Sequence, residues 1–295
     1  MKAATAKTRT RFENILFATD FSAAAANAIP FIKEIARHFQ SNLVALHVRP
    51  PVVNPMTQPG TWPTDIEAAK VFDNEHREEL LDTFSGIKTE VLIEEGDIQS
   101  RLDNAIQKHD ADLVIIGTRG RTGLAKILLG SVAEEIFRTV PVPVLTVGPR
   151  SDAAKATIRE ILFATDFASE ASSAAAYAVS LAQEFQARLT LLHVVSEPKP
   201  GDLVSWSDVQ ESSKQLLRKL IPSEAEDWCK PEFFVERGDP GERILDLANL
   251  REVDLIVLGA QPETGVPGAA THLPIATAHK VVANAHCPVL TVRNK

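Results

Sequence analysis

The chain has 295 residues, of which 44% are hydrophobic and 24% charged, a balance typical of globular proteins and enough chain for two domains. Its formal net charge of −8 argues against nucleic acid or an anionic membrane as the main partner, because both repel a negative surface. No apolar run approaches the roughly 20 residues of a membrane span and the basic start lacks the apolar core of a secretory signal, so we expect a cytoplasmic protein.

The first half begins with alternating signals for strands and helices. A short apolar run predicts a strand over Asn14 to Ala18, and Ser22 suits the cap of the helix that follows. Pro30 lies inside the helical pattern and predicts either a kink or a late helix start. The second strand is predicted over Leu43 to Val48.

A proline-rich segment from Pro50 to Pro63 then leads to a polar helix predicted over 65–84. The segment is compatible with a lid, a variable surface connection or a partner surface, and the sequence does not choose between them. A third strand is predicted over Lys88 to Ile93, with a helix after it from about Ser100 to His109.

The most informative stretch covers residues 111–147. A buried strand closes at Gly117, and further glycines follow after two residues, at Gly120, and after nine more, at Gly130. Ser131 comes next and opens a helix, which leads to the fifth strand. A helix N-terminus offers unpaired N–H groups to an anion, and glycine lets a phosphate approach the backbone. The pattern therefore predicts phosphate binding by main chain.

The chain contains an internal repeat. The segment ILFATDF at residues 15–21 recurs letter for letter at residues 161–167, and each half closes with PVLTV, at residues 143–147 and 288–292. The seam at residues 148–155 is polar and contains proline, as expected of a linker. We therefore predict two homologous domains, residues 1–150 and 151–295.

Alternating strands and helices with nearly continuous apolar strands predict a parallel α/β sheet with helices on both faces. Ligands of such sheets bind beyond the carboxyl ends of the strands. Asp20 follows the first strand and Gly117 closes the fourth. If these strands are neighbours, both residues face one crevice.

The repeated ILFATDF, the Leu-His-Val at residues 46–48 and the glycine pattern closely resemble the universal stress proteins, specifically their ATP-binding branch in a tandem two-domain form. The resemblance covers nearly the whole chain. It implies two tandem open-sheet domains, each a five-stranded parallel sheet of strand order 3-2-1-4-5. It also implies pairing through the last strands, which the two halves could achieve within one chain, and it leaves a homodimer of the chain open.

The resemblance also assigns a nucleotide site. Residues after the first strand and at the end of the second would contact adenine and ribose, and the glycine loop would hold ribose and phosphates, often with magnesium. Arg119 and Arg121 are close enough in sequence to reach phosphate oxygens. The predicted nucleotide-binding residues are Ala18, Thr19, Asp20, Val48, Gly117, Thr118, Arg119, Gly120, Arg121, Gly130, Ser131 and Val132.

The second half departs from this pattern. Pro262 stands where the second glycine is expected, and Ile275 and Ala276 stand where Gly130 and Ser131 are. Proline removes an N–H donor and isoleucine adds branched bulk. We therefore predict that only the first domain binds ATP; weak nucleoside binding in the second stays open.

Other interpretations remain open for single residues. The glycines could serve only turns, and Asp20 and Ser131 could serve only as helix caps. His47 and His193 occupy matching positions, which favours a shared structural role over catalysis. We predict neither catalytic residues nor a metal site.

The leading functional hypothesis is an ATP-binding stress-response regulator whose conformation or assembly is read by an unknown protein partner. The alternatives are a slow ATP hydrolase and a ligand-free dimerising scaffold. The sequence has no P-loop, and Asp20 and Glu134 are only nominal candidates for a base, so at most weak hydrolysis is expected.

Overall fold

The computed structural model consists of two halves in which strands and helices alternate. It describes residues 10–49, 63–118, 131–152, 156–197, 205–260 and 273–293. The elements of the first half are β1 (Asn14–Ala18), α1 (Ala23–Ala26), α2 (Ile29–Phe39), β2 (Asn42–Arg49), α3 (Pro63–Thr83), β3 (Thr89–Glu95), α4 (Ile98–Lys108), β4 (Leu113–Gly117), α5 (Ser131–Thr139) and β5 (Val144–Val147). Those of the second half are β6 (Glu160–Ala164), α6 (Ala171–Phe185), β7 (Arg188–Val195), α7 (Trp206–Leu220), α8 (Ala225–Trp228), β8 (Glu232–Arg237), α9 (Pro240–Leu250), β9 (Leu255–Gly259), α10 (Leu273–Asn284) and β10 (Val289–Val292).

The ten strands in the described part of the chain form one sheet, in the order β3-β2-β1-β4-β5-β10-β9-β6-β7-β8. Pairing within each half is parallel, with the order 3-2-1-4-5 that the resemblance implied. The halves join where β5 and β10 pair antiparallel, with Leu145 opposite Leu290. Thr146 and Thr291 donate from their hydroxyls across this seam, to Val289 O at 3.1 Å and to Val144 O at 3.2 Å.

The apolar core lies on both faces of the sheet, because the side chains of each strand alternate between them. Along β1, Ile15 and Phe17 belong to one core cluster and Leu16 to the other. The first cluster crosses from one half to the other: the ring of Phe12 lies 6.2 Å from that of Tyr177. The two halves are therefore joined by side-chain packing as well as by the sheet.

Local signals in the sequence explain where the helices begin. Ser22 accepts a hydrogen bond from Ala25 N and caps α1. Helical structure begins at Ala23 and is interrupted before α2, which has Pro30 in its first turn, so the proline coincides with a break in the helix and not with a late start. Asp97 accepts from Ser100 N and caps α4, which therefore begins at Ile98, before the predicted Ser100.

The remaining boundaries differ from the predictions by small amounts. The third strand extends to Glu95, beyond the predicted Ile93, and the polar helix α3 ends at Thr83. Of the predicted loop from Pro50 to Pro63, residues 50–62 lie outside the described residues. Every helix in the described part of the chain is too short or too polar to cross a bilayer.

Candidate functional site

The carboxyl ends of three adjacent strands form the candidate site in the first half. Ala18, the last residue of β1, lies opposite Ile116 of β4, and β4 ends one residue later at Gly117, so both strands end at the same edge of the sheet. Ala18 also lies opposite Leu46 of β2. The first and fourth strands are therefore neighbours, which is the arrangement that the predicted crevice requires. The edge brings together Ala18, Thr19, Asp20, Val48, Gly117 and Thr118.

The turn after β1 is held by hydrogen bonds to its own side chains. The Thr19 hydroxyl oxygen accepts from Phe21 N at 3.1 Å, and Asp20 Oδ1 accepts from Ser22 N at 3.0 Å. Phe21 takes a left-handed conformation, with φ of 58°, which is uncommon for a bulky residue. Ser22, not Asp20, caps α1, whereas the Asp20 carboxylate stabilises the turn before it.

A histidine supports this turn from β2. Nδ1 of His47 lies 2.8 Å from Thr19 O, and because a carbonyl only accepts, Nδ1 donates. The second half repeats the contact between His193 and Thr165 O at 2.8 Å, and burial lowers the pKa of His193. Both histidines therefore hold the turn through the same hydrogen bond, which agrees with a structural role.

Gly117 has a packing role that is independent of any ligand. A Cβ at this position would lie 2.6 Å from Ala24 O, in the backbone of α1, which is shorter than a side chain tolerates. In the second half, a Cβ on Gly259 would meet the Cβ of Glu170 at 3.1 Å. The first glycine of the motif is therefore needed for the approach of the first helix to the end of the fourth strand. Whether it also contacts nucleotide stays a prediction.

Thr118 follows Gly117 beside the end of β5, and its N–H donates to Val147 O at 3.1 Å. Its side chain is 2% exposed, and the hydroxyl has no hydrogen-bond partner within the described part of the chain. An unpaired buried hydroxyl is costly, and a contact between Thr118 and nucleotide stays a prediction. The second half has Ala260 here.

The rest of the predicted glycine loop is only partly described. Arg119, Gly120, Arg121 and Gly130 lie outside the described residues. Ser131 is the first described residue of α5, and Val132 on the same helix is 40% exposed.

The corresponding edge of the second half contains a crevice with a volume of about 180 Å³. Asp166 and Val194 line it, as their counterparts Asp20 and Val48 would line the first. Sequence reasoning missed a further lining residue, Glu170. Counting along the repeat from ILFATDF places Glu170 at the position of Ala24, so the signal was present in the sequence.

The acidic, histidine and cysteine side chains of the described residues are the remaining candidates for catalysis or metal binding. No group of three His, Cys, Asp or Glu side chains among them is arranged to hold a metal ion. Glu134, a nominal candidate for a base, lies on α5, and its Oε1 is 3.4 Å from Nε2 of His279 on α10. Burial raises the pKa of Cys229 to about 11 and that of Cys287 to about 12, so neither thiol is a nucleophile at neutral pH.

Comparison with known proteins assigns the family. The sequence model of the Universal stress protein family matches residues 11–148 and again residues 157–293. The chain belongs to the universal stress protein family. Membership of this family indicates a role in the stress response.

Relatives share either one half or the full tandem arrangement. A universal stress protein of Methanocaldococcus jannaschii is 31% identical over 140 residues, which cover 46% of this chain and 82% of the relative. One from Mycolicibacterium smegmatis is 24% identical over 298 residues, covering 95% of this chain and 96% of that protein. The crystal structure of a universal stress protein from Archaeoglobus fulgidus superposes with a TM-score of 0.72 at 20% identity, covering 97% of this chain and 100% of that chain. At this identity the structural likeness supports the fold alone.

Proposed function

We propose that this universal stress protein is an ATP-binding regulator that holds one nucleotide in its first half, and that a partner protein reads the occupied state. The observation that supports this best is the side-by-side ending of β1 and β4. Because the two strands end at the same edge of the sheet, Asp20 follows β1 and Gly117 closes β4 at that edge, directly before the segment that contains Gly120, Gly130 and Ser131.

The chemistry of this edge suits a nucleoside. The Asp20 carboxylate accepts hydrogen bonds, as ribose hydroxyls require, and the Thr118 hydroxyl is buried without a partner among the described residues. Ala18 and Val48 offer partly buried apolar surface for a base. We assign the phosphates to the backbone around Gly120, Gly130 and Ser131, with Arg119 and Arg121 in reach and magnesium bound mainly through the phosphates.

The second half lacks the features that a polyphosphate needs. Glu170 places a carboxylate in its crevice where the first half has Ala24. The segment after β9 carries Glu263 and no arginine or lysine, whereas the segment after β4 carries Arg119 and Arg121. Like charges close together repel. We therefore assign ATP to the first half alone.

Nucleotide content and isothermal titration test this proposal. We expect adenine nucleotide to accompany the purified protein and ATP to titrate at one site per chain. Gly130→Ile introduces the residue that the second half uses, and overpacking of about 1–3 kcal/mol predicts binding weaker by about 5- to 150-fold.

The matched control is Ile275→Gly, which should leave both affinity and stoichiometry unchanged. Two equivalent ATP sites per chain, or unaltered binding by Gly130→Ile, would contradict the assignment. Absence of ATP binding at millimolar concentration would favour a ligand-free scaffold. A turnover rate on the order of 10 per second, a typical enzymatic value, would favour an enzyme.

A further inference from the structure

The crevice of the second half is negatively charged. Its charged lining residues in the described part of the chain are Asp166 and Glu170, and no lysine or arginine lines it there. Leu192, Val194 and Ile244 contribute apolar surface to the same crevice. The crevice therefore combines an apolar wall with two carboxylates.

Glu170 lines this crevice and lies at the N-cap position of α6. Its side chain lies over the end of β9, where a Cβ on Gly259 would come within 3.1 Å of the Glu170 Cβ. Glu170 is 4% exposed. Its Oε1 accepts from the Ser169 hydroxyl at 2.6 Å, but its Oε2 has no hydrogen-bond partner among the residues that the structure describes.

A buried carboxylate with an unpaired oxygen is energetically costly, and a positively charged hydrogen-bond donor removes that cost most effectively. Lys280 on α10 does not supply the donor. Its Nζ lies 2.9 Å from Asp239 Oδ1 and 3.0 Å from Glu242 Oε1, so it is engaged at the start of α9.

We propose that the second-half crevice binds a small organic cation, with an ammonium or guanidinium group. Its N–H groups would donate to Glu170 and Asp166, and its hydrocarbon part would pack on Leu192, Val194 and Ile244. Carboxylates only accept hydrogen bonds and repel phosphate, so the same residues select against nucleotides. This second site is distinct from the ATP site and does not depend on it.

Isothermal titration of the full chain with agmatine and putrescine tests the proposal, with 1,4-butanediol as the neutral probe of similar length. We expect saturable binding of at least one of the two cations at one site per chain, and no binding of the diol. Glu170→Gln keeps the shape of the side chain but removes its charge, and we expect it to weaken cation binding at least about tenfold, the effect of losing one charged hydrogen bond.

The control is Glu211→Gln, which removes an exposed carboxylate of α7 and should leave cation binding unchanged. Asp166→Asn serves as a second variant if Glu170→Gln unfolds, as judged by its thermal midpoint, and it should also weaken binding. Failure of both cations to bind the natural protein at millimolar concentration, equal binding by a folded Glu170→Gln, or equal affinity for the diol would overturn the proposal. ATP titration of the natural protein reports on the first half separately.

Discussion

At the scale of single residues, Gly117 and Gly259 show why one glycine persists in both halves while the others do not. The backbone of α1 lies so close to Gly117 that any side chain would collide with Ala24 O. Glu170 makes a looser contact with Gly259 in the second half. The first glycine of the pattern is thus explained by packing, and the ligand hypothesis rests on Gly120 and Gly130, whose counterparts are Pro262 and Ile275.

This packing predicts the effect of Gly117→Ala on stability. Because a Cβ would lie 2.6 Å from backbone oxygen, we expect the free energy of unfolding to fall by about 1–3 kcal/mol, the usual cost of overpacking. The control is Gly148→Ala, since a Cβ there has its closest contact at 3.5 Å. Chemical denaturation measures both variants, and equal stability of the two would contradict the packing role of Gly117.

At the scale of elements, the first helix of each half shows how one proline changes a common design. In the first half, α1 stops at Ala26 and α2 begins at Ile29, with Pro30 in its first turn. In the second half, Ala176 occupies the position that matches Pro30, and α6 (Ala171–Phe185) is a single unbroken helix. Proline lacks an N–H and collides with the preceding turn, so it suits a helix start but not a helix interior.

Exchanging these residues should have unequal effects. We expect Ala176→Pro to lower the free energy of unfolding by about 3 kcal/mol or more, because it interrupts a continuous helix. Pro30→Ala should change it by no more than about 1 kcal/mol. Denaturation midpoints compare the two variants. If Ala176→Pro lowers the free energy of unfolding only slightly, or if Pro30→Ala lowers it as much as Ala176→Pro does, the break between α1 and α2 has another cause.

At the scale of the whole molecule, the seam between β5 and β10 uses the last strand of each half. β5 pairs with β4 on one side and β10 on the other, so neither edge of it is available to a second chain. The open edges of the sheet are β3 and β8. A homodimer of this chain, which stays a prediction, would therefore need a surface other than the last strands.

The shared sheet and core predict cooperative unfolding. Phe12 of the first half packs against Tyr177, and Phe39 against Phe185, with ring centroids 6.2 Å and 5.8 Å apart. Neither half can unfold without exposing apolar surface of the other. We expect one calorimetric transition, with equal calorimetric and van't Hoff enthalpies. Two resolved transitions would show that the halves unfold independently.

Much of the fold could be predicted because each strand and helix of the repeat occurs in both halves, so the sequence signals of one half could be compared with those of the other. The first strand was placed at its observed bounds, and the resemblance gave the strand order. The start of α4 was misplaced because the capping role of Asp97 was not recognised. Of the candidate site, Ala18, Thr19, Asp20, Val48, Gly117 and Thr118 meet at one edge, but their contacts with nucleotide remain predictions.

The sequence by itself determined the duplication, because the repeated segments are identical letters along one chain. The strand order followed from the resemblance of its motifs to a known family, since strand adjacency is not a local property of the sequence. Only the tertiary structure decided that Gly117 packs against α1 and that Glu170 is buried with an unpaired oxygen among the described residues. Both facts arise from residues that belong to different elements, and burial and close approach exist only once those elements pack. The pairing of two carboxylates with an apolar wall in the second-half crevice emerges at that level.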